Sequence, residues 1–335
     1  MKTSTSKRLR WNVAIWLAAG LFMTSTAGMA SGPIMPDPKA EARHQPQVEE
    51  TANGIPLVNI TAPSSGGVSR NEYEMFNVPD KGAILNNSYT LSKTELAGYV
   101  PGNNNMAERP AKIIVNEVTG AGSTSMDGFL EVAGNRADVV IANPNGITVN
   151  GGGFINTGKA FLTTGKPVYD GEDHLQRFDI TGGDILIEGK GLGGKETESL
   201  AILSRAVKIN AGIWAEDLHI TTGANTVDAK TLEASAIEGK GGRPAFALDT
   251  AAIGGMYAGR ITLVGTEKGL GVNNNGTIYS KGNADLRANY LENDKTIAAE
   301  RNLSAAAKEN IRNQGKLLAG ENIDIYAGKT LDNAG

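Results

Sequence analysis

Apolar and polar positions alternate over short stretches of this chain, and near residue 300 the stretches begin to repeat. One apolar residue, one charged residue and one asparagine recur every 20 residues, at Leu291–Asn293, Ile311–Asn313 and Leu331–Asn333. Asparagine also precedes three alternating apolar triplets, at Asn283, Asn302 and Asn322, with spacings of 19 and 20. Alternation predicts strands, and a period near 20 built of such strands is typical of a solenoid. The pattern therefore predicts stacked coils of short β-strands, with the repeated asparagines at corners or in amide ladders.

The same pattern extends upstream with interruptions. Ile147 and Val149 match Ile185 and Ile187 at an offset of 38, which we interpret as two periods of 19. Leucine-rich repeats share this period but need a leucine-dominated consensus, so a parallel β-helix of roughly a dozen coils is favoured. A strand spacing of about 4.8 Å gives such a body a length on the order of 60 Å. Residues 166–177 and 234–243 break the period and are expected to form extra-helical loops or strands.

One tight turn stands out between two β-branched stretches. It has the sequence Asn143-Pro144-Asn145-Gly146 and is followed by Ile147. Proline presets φ at the second position of a type I turn, and asparagine and glycine suit the third and fourth positions. Residue chemistry alone favours an ordinary corner of the β-helix at this point.

The first thirty residues differ in composition from the rest. Four basic residues are followed by an apolar run over residues 13–23 and then by small residues, with cleavage expected after Ala30 or, as the alternative, after Ala27. This order is typical of a secretory signal peptide, and the run is too short to span a bilayer comfortably. Residues 31–51 are rich in Pro, Glu and Gln without an apolar period, so we expect a flexible leader there.

Charge and composition exclude several classes of function. Without the signal peptide the chain carries 28 basic and 36 acidic residues, a net charge of −8, and no basic patch with aromatic residues, so a nucleic-acid partner is not expected. The chain has no cysteine, and the three histidines lack the spacing of metal ligands. Residues 189–195 resemble a phosphate-binding loop only superficially, because Glu196 follows the lysine. We therefore expect no metal, no cofactor and no catalytic residues.

Several segments resemble the two-partner secretion domain of filamentous-haemagglutinin-like exoproteins, which include contact-dependent growth-inhibition toxins. The similarity runs in order from about residue 50 to 280, through residues 53–60, 69–78, 82–88, 113–118, 141–147, 255–261 and 265–272. The stretch Asn143–Ile147 matches the family motif NPNGI. The second family motif, NPNL, corresponds to Asn103-Asn104-Asn105-Met106, in which asparagine replaces proline and methionine replaces leucine. This change keeps a turn-forming stretch with an apolar end but loses the fixed φ.

The resemblance implies an all-β, right-handed parallel β-helix with an N-terminal β cap and extra-helical strands or loops. It also implies a non-enzymatic secretion module that follows the Sec machinery and is recognised in the periplasm by the POTRA domains of an outer-membrane β-barrel transporter. Export from a Gram-negative-type bacterium to the cell surface would then serve adhesion or contact-dependent inhibition. Host or neighbouring cells would be contacted through regions beyond residue 335. The alternatives are a β-helix polysaccharide-degrading enzyme and a host-surface adhesin domain in its own right.

These observations predict four segments. Residues 1–30 form the signal peptide, residues 31–51 the leader, residues 52–280 the secretion domain and residues 281–335 the start of a repetitive β-helix shaft. Because Gly335 directly follows a repeat and would leave an open sheet edge, we expect an N-terminal fragment of a longer exoprotein or the product of a truncated gene.

Overall fold

A computed structural model of the chain describes residues 32–106 and 109–335. The predicted signal peptide lies outside the described residues. The buried apolar clusters are built from residues starting at Ile34. A chain that begins at residue 32 therefore contains all of these core side chains. The described residues include no helix with both the length and the apolar character needed to cross a bilayer.

The chain winds repeatedly through three parallel β-sheets, which form a parallel β-helix. Sheet 1 consists of β3 (Pro56–Asn59), β5 (Ala83–Asn87), β10 (Phe129–Gly134), β13 (Gly152–Ile155), β18 (Leu192–Gly194), the first halves of β21 (Gly212–Thr222) and β25 (Gly255–Gly265), β27 (Thr277–Ser280), β30 (Thr296–Ala299) and β33 (Lys316–Ala319). Sheet 2 consists of β4 (Val68–Phe76), β8 (Ile113–Val118), β11 (Ala137–Ala142), β14 (Thr157–Thr163), β19 (Ser199–Ser204), the second halves of β21 and β25, β28 (Ala284–Ala288), β31 (Asn302–Ala307) and β34 (Asn322–Ala327). Sheet 3 consists of β9 (Thr124–Met126), β12 (Ile147–Val149), β17 (Asp184–Ile187), β20 (Ala206–Ile209), β24 (Leu248–Thr250), β26 (Val272–Asn274), β29 (Leu291–Asn293), β32 (Asn310–Asn313) and β35 (Thr330–Asn333).

The repeat spacing agrees with the sequence pattern at the C-terminal end and differs upstream. Leu291, Ile311 and Leu331 are in-register neighbours on adjacent strands of sheet 3, as predicted. Ile147 and Ile185 are also direct neighbours, so their offset of 38 is one coil and not two. An insertion between β14 and β17 adds the extra residues. Because insertions use part of the chain, the described residues make about ten coils rather than a dozen, and the stack is about 43 Å long at a strand spacing of about 4.8 Å.

Small aliphatic side chains fill the narrow interior. The inward positions of β28 and β31, for example, are occupied by Leu286, Leu303 and Ala305, all of which are buried. Amide ladders also form, as predicted. The exposed ladder consists of Asn283, Asn302 and Asn322, in which Asn302 donates to Asn283 and accepts from Asn322. A second ladder lies inside the coil and starts at Asn274, which donates to Asn293. Interior amides that bond to one another avoid the cost of an unpaired buried polar group.

The N-terminal segment is ordered into a cap, which corrects the prediction of a flexible leader over residues 31–51. The strand β1 (Ile34–Pro36) pairs antiparallel with β4, and β2 (Gln47–Glu50) pairs antiparallel with β3. A 3₁₀ turn, η1 (Ala42–His44), lies between them and buries His44. Both strands cover the open edges of the first coil, where unpaired N–H and C=O groups would otherwise be exposed. Main-chain pairing of this kind requires no apolar period, and so the composition did not reveal it.

Two insertions form a small antiparallel sheet outside the coil, as the interruptions of the period predicted. Its strands are β15 (Lys166–Tyr169), β16 (Leu175–Ile180), β22 (Asn225–Asp228) and β23 (Ala234–Ala236). Phe178 and Val227 of this extra-helical sheet pack with Phe161 of sheet 2 in one buried cluster. A separate hairpin of β6 (Ser92–Thr94) and β7 (Gly98–Val100) covers part of sheet 1.

Candidate functional site

The NPNGI stretch is a corner at which the chain passes from sheet 2 to sheet 3. Asn143 follows β11 directly, and Ile147 is the first residue of β12. The Gly146 N–H donates to the Asn143 carbonyl over 3.1 Å, which closes a four-residue turn. Asn145 keeps a negative φ, so the turn is of type I and not type II. The geometry confirms that the stretch is a corner between successive sheets of one coil.

Asn143 anchors this turn from inside. Its side chain is fully buried, and its amide donates to the Gly122 carbonyl and to Thr124 Oγ1, both over 3.0 Å. Its Oδ1 accepts the backbone N–H of Asn145 over 2.9 Å. One amide therefore ties the turn to the preceding coil and also sets the shape of the turn.

The outer part of the turn faces solvent. Pro144 and Asn145 are exposed, although the Asn145 amide donates to the Gly120 carbonyl over 2.8 Å. Gly146 is buried at a φ of 112°, a region that L-amino acids with a side chain rarely adopt. Ile147 then points into the hydrophobic core. The turn presents a rigid Pro-Asn surface on a buried base.

The degenerate motif folds into the same turn. Asn103 is buried and donates to the carbonyls of Ile60 and Asn86, both over 2.9 Å. Its Oδ1 accepts the N–H of Asn105 over 2.9 Å, and its own carbonyl accepts the N–H of Met106 over 3.1 Å. Each of these bonds has a counterpart in the NPNGI turn. The missing proline therefore leaves the hydrogen-bonding pattern unchanged.

The two turns lie at different corners of the β-helix. The Asn103 turn precedes β8 on the path from sheet 1 to sheet 2, whereas the Asn143 turn joins sheets 2 and 3. Their anchoring amides share no hydrogen-bonding partner among the described residues. Met106 is buried in the main core, where the Met side chain fills the place that the family motif gives to Leu. The sequence pattern predicted both turns but did not show that the two turns have the same geometry.

A groove of about 450 Å³ runs beside the NPNGI turn. Asn145 and Gly146 form one wall, and Asp184 and Lys208 lie on the next coils. The groove thus combines a backbone turn with one negative and one positive side chain. Such a surface can bind a polypeptide segment through hydrogen bonds and charge pairs.

A buried ionic cluster near the cap was not recognised in the sequence. The Arg70 guanidinium lies 2.8 Å from Glu72, which also lies 3.1 Å from the His44 imidazole. Burial raises the pKa of Glu117, which lies beside Arg70, and burial lowers the pKa of His44. The Tyr169 ring of the extra-helical sheet covers the Arg70 guanidinium at 4.6 Å. The cluster joins cap, coil and extra-helical sheet, which are distant in sequence.

The three histidines lie apart from one another. His44 contacts Glu72, His174 contacts Asp170 and His219 contacts Thr221. Within residues 32–106 and 109–335, no group of three or more His, Asp or Glu side chains is arranged to hold a metal ion.

Two family models match the chain. The TPS secretion domain model, which describes the two-partner secretion domain, covers residues 33–295. The haemagglutinin repeat model covers residues 279–335. Together they span nearly all of the described residues.

Proteins similar to this chain include two bacterial CdiA proteins and a filamentous haemagglutinin secretion domain. The chain is 43% identical over 292 residues to the toxin CdiA of Yersinia pestis, covering 86% of the chain and 9% of that protein. It is 42% identical over 313 residues to the 16S rRNA endonuclease CdiA of Enterobacter cloacae subsp. cloacae, covering 91% of the chain and 9% of that protein. The crystal structure of the filamentous haemagglutinin secretion domain, a β-helix, matches with a TM-score of 0.71 and 30% identity over 91% of this chain and 100% of that one. The chain spans about a tenth of the length of the two CdiA relatives.

Proposed function

Because the chain belongs to the TPS secretion domain family of CdiA-like and filamentous-haemagglutinin-like exoproteins, we propose that the two asparagine turns are its contact points with the transporter. The family is a secretion domain, not a catalytic one, and it implies a transporter of the two-partner secretion type and delivery to the surface of a Gram-negative bacterium. After a Sec-dependent step directed by residues 1–30, POTRA domains of an outer-membrane β-barrel recognise the chain in the periplasm.

One observation carries the proposed role of the NPNGI turn. Asn143 is buried and determines the shape of the turn, while Pro144 and Asn145 are exposed and Asn145 also lines the neighbouring groove. A corner that only had to connect two strands would not need an exposed asparagine held by a buried amide. The separation of a structural residue from exposed residues is typical of a recognition turn supported by a rigid scaffold.

The surrounding segments have proposed roles as well. Residues 52–280 with the cap before them form the secretion module, and residues 281–335 begin a repetitive shaft, in keeping with the haemagglutinin repeat match over residues 279–335. We infer that the full exoprotein extends beyond residue 335 and acts there in adhesion or contact-dependent inhibition. The toxin names of the relatives support this inference for the whole protein and not for this segment.

The test is export by the cognate transporter in co-expressing cells, measured as the fraction of the chain at the surface and in the medium. Pro144→Ala and Asn145→Ala change exposed groups and should lower export several-fold. Asn104→Ala changes the equivalent exposed position of the other turn and separates the contributions of the two motifs. Circular dichroism of each purified variant shows whether the β-helix still forms.

The result can also contradict the proposal. If Pro144→Ala and Asn145→Ala are exported like the unmodified chain while Asn143→Ala is not, the turn acts only through folding. If Asn143→Ala, Pro144→Ala and Asn145→Ala are all exported normally, the NPNGI turn has no role in export.

A further inference from the structure

A row of aromatic side chains runs along the outer face of sheet 1. Trp214, Tyr257 and Tyr279 are in-register neighbours on β21, β25 and β27. Three strands before Trp214, Phe129 occupies the same register position, with Gly153 and Gly193 in between. From Phe129 to Tyr279 the row spans about 24 Å at a strand spacing of about 4.8 Å. It runs parallel to the axis of the β-helix.

The rings lie against the backbone instead of standing upright. A Cβ atom on Gly212 would lie 2.4 Å from the Trp214 ring, and a Cβ on Gly255 would lie 2.9 Å from the Tyr257 ring. The planes of these two rings are only 15° apart, with centroids separated by 6.2 Å. Rings over glycines protect the backbone from solvent. They also turn a flat aromatic face outward.

A slot separates the first ring from the others. It has a volume of about 260 Å³ and is lined by the aromatic residues Phe129, Phe154 and Trp214, by Gly193, and by the charged residues Lys195 and Glu196. Protection of glycines explains each ring but does not explain an open space between two of them. Apolar walls with a few polar groups at the edge are the usual features of a small-ligand site.

A larger groove adjoins the slot at Glu196. Its volume is about 880 Å³, and its lining includes Lys93, Glu131 and Asn156. The carboxylate of Glu131 accepts the backbone N–H groups of Glu95 and Leu96 over 2.7 and 2.9 Å, so the hairpin β6–β7 is held at this edge. Slot and groove together combine aromatic faces with charged and amide groups.

We propose that this surface, formed by Phe129, Trp214, Tyr257 and the adjoining groove, binds a neutral oligosaccharide. The C–H faces of pyranose rings stack on aromatic rings, and their hydroxyl groups bond to amides and carboxylates. Positive and negative side chains both line the site, with acids in slight excess, so an anionic glycan or a nucleic acid is disfavoured. An extended sugar chain fits a linear row better than a globular partner does. This binding is independent of the proposed export signal.

Tryptophan fluorescence can test the proposal directly. Of the three tryptophans at positions 11, 16 and 214, only Trp214 remains in a chain that starts at residue 32. Its emission should change saturably when a neutral hexasaccharide, cellohexaose or hexa-N-acetylchitohexaose, is added. Phe129→Ala and Tyr257→Ala should each weaken binding about tenfold, in line with the loss of one stacked ring. Both side chains are partly exposed, so both variants should fold, as thermal unfolding would show.

Tyr326→Ala is the matched control, because it removes an exposed aromatic ring from sheet 2 and should leave binding unchanged. The proposal is wrong if neither hexasaccharide changes the emission at millimolar concentration. It is also wrong if Tyr326→Ala weakens binding as much as Phe129→Ala does. If no sugar binds but Phe129→Ala blocks capture by the transporter, the surface docks a protein and the glycan assignment is overturned.

Discussion

The interior amide ladder permits a sharp test of how this β-helix is stabilised. Asn274 donates to Asn293 over 2.7 Å, Asn293 donates to Asn313 over 2.6 Å, and Asn313 donates to Asn333 over 2.6 Å. The side chains of Asn274 and Asn293 are completely buried. Asn293→Ala removes a central member and leaves the Asn313 oxygen without its donor.

The expected cost follows from these contacts. An unsatisfied buried polar group costs about 1–3 kcal/mol, and Asn293→Ala affects one group on each side. The Asn274 amide keeps a hydrogen bond of 3.2 Å to the Thr296 carbonyl, which reduces the free-energy cost of losing Asn293 as its acceptor. We therefore expect a loss of about 2–4 kcal/mol in the free energy of unfolding.

The exposed ladder provides the matched control. Asn302 occupies the centre of a ladder with the same spacing, with amide bonds of 3.1 Å to Asn283 and 2.8 Å from Asn322. Because water replaces exposed hydrogen bonds, Asn302→Ala should change the free energy by no more than about 0.5 kcal/mol.

Two measurements on a chain that starts at residue 32 check these values. Urea unfolding followed by circular dichroism gives the overall change, and hydrogen exchange of the strand amides at residues 291–293 detects local opening, which is expected in a solenoid whose coils contact only their neighbours. The reasoning fails if Asn302→Ala costs as much as Asn293→Ala, or if Asn293→Ala leaves both measurements unchanged.

Three further substitutions have defined outcomes. Asn104→Pro restores the proline of the family motif at an exposed turn position and should stabilise the chain by about 0.4–1 kcal/mol, seen as a small rise in Tm. Gly146→Ala should destabilise it by about 1–3 kcal/mol, because φ is positive and the new Cβ would lie 3.0 Å from the Asp184 carbonyl oxygen; an unchanged Tm would contradict this. The Arg205 guanidinium, 2.8 Å away, lowers the pKa of Glu267 below 4.5, so this pair stabilises the fold above that pH and the contribution is lost as pH falls through the lowered pKa. Glu267→Gln should therefore flatten the dependence of stability on acidic pH, and an equally steep acid transition would contradict the assignment.

Local patterns predicted most of the solenoid because each coil repeats the same short-range chemistry. The asparagines at 283, 302 and 322 and the apolar residues after them occur at a nearly constant spacing, so their stacking was visible in the sequence. The predicted period of 19 to 20 residues was wrong where an insertion leaves the coil. Ile147 and Ile185 looked two coils apart, since sequence distance does not distinguish a coil from an insertion.

The sequence did not predict the N-terminal cap, for a different reason. Residues 31–51 carry no apolar period, and β1 and β2 are held mainly by antiparallel main-chain pairing with β4 and β3. Such pairing depends on a free edge that exists only after the first coil has formed. The ionic cluster around Arg70 likewise unites residues that are far apart in the chain.

The sequence by itself determined the all-β class, the stacked coils, the amide ladders and the positions of both asparagine turns. These features depend on alternation, turn chemistry and a period, which are properties of neighbouring residues. Only the tertiary structure decided that the Asn103 and Asn143 turns share one hydrogen-bonding pattern, because each anchoring amide has a partner on the preceding coil. It also decided that Phe129 and Trp214 line the same slot. The register between coils brings together residues that no local pattern relates.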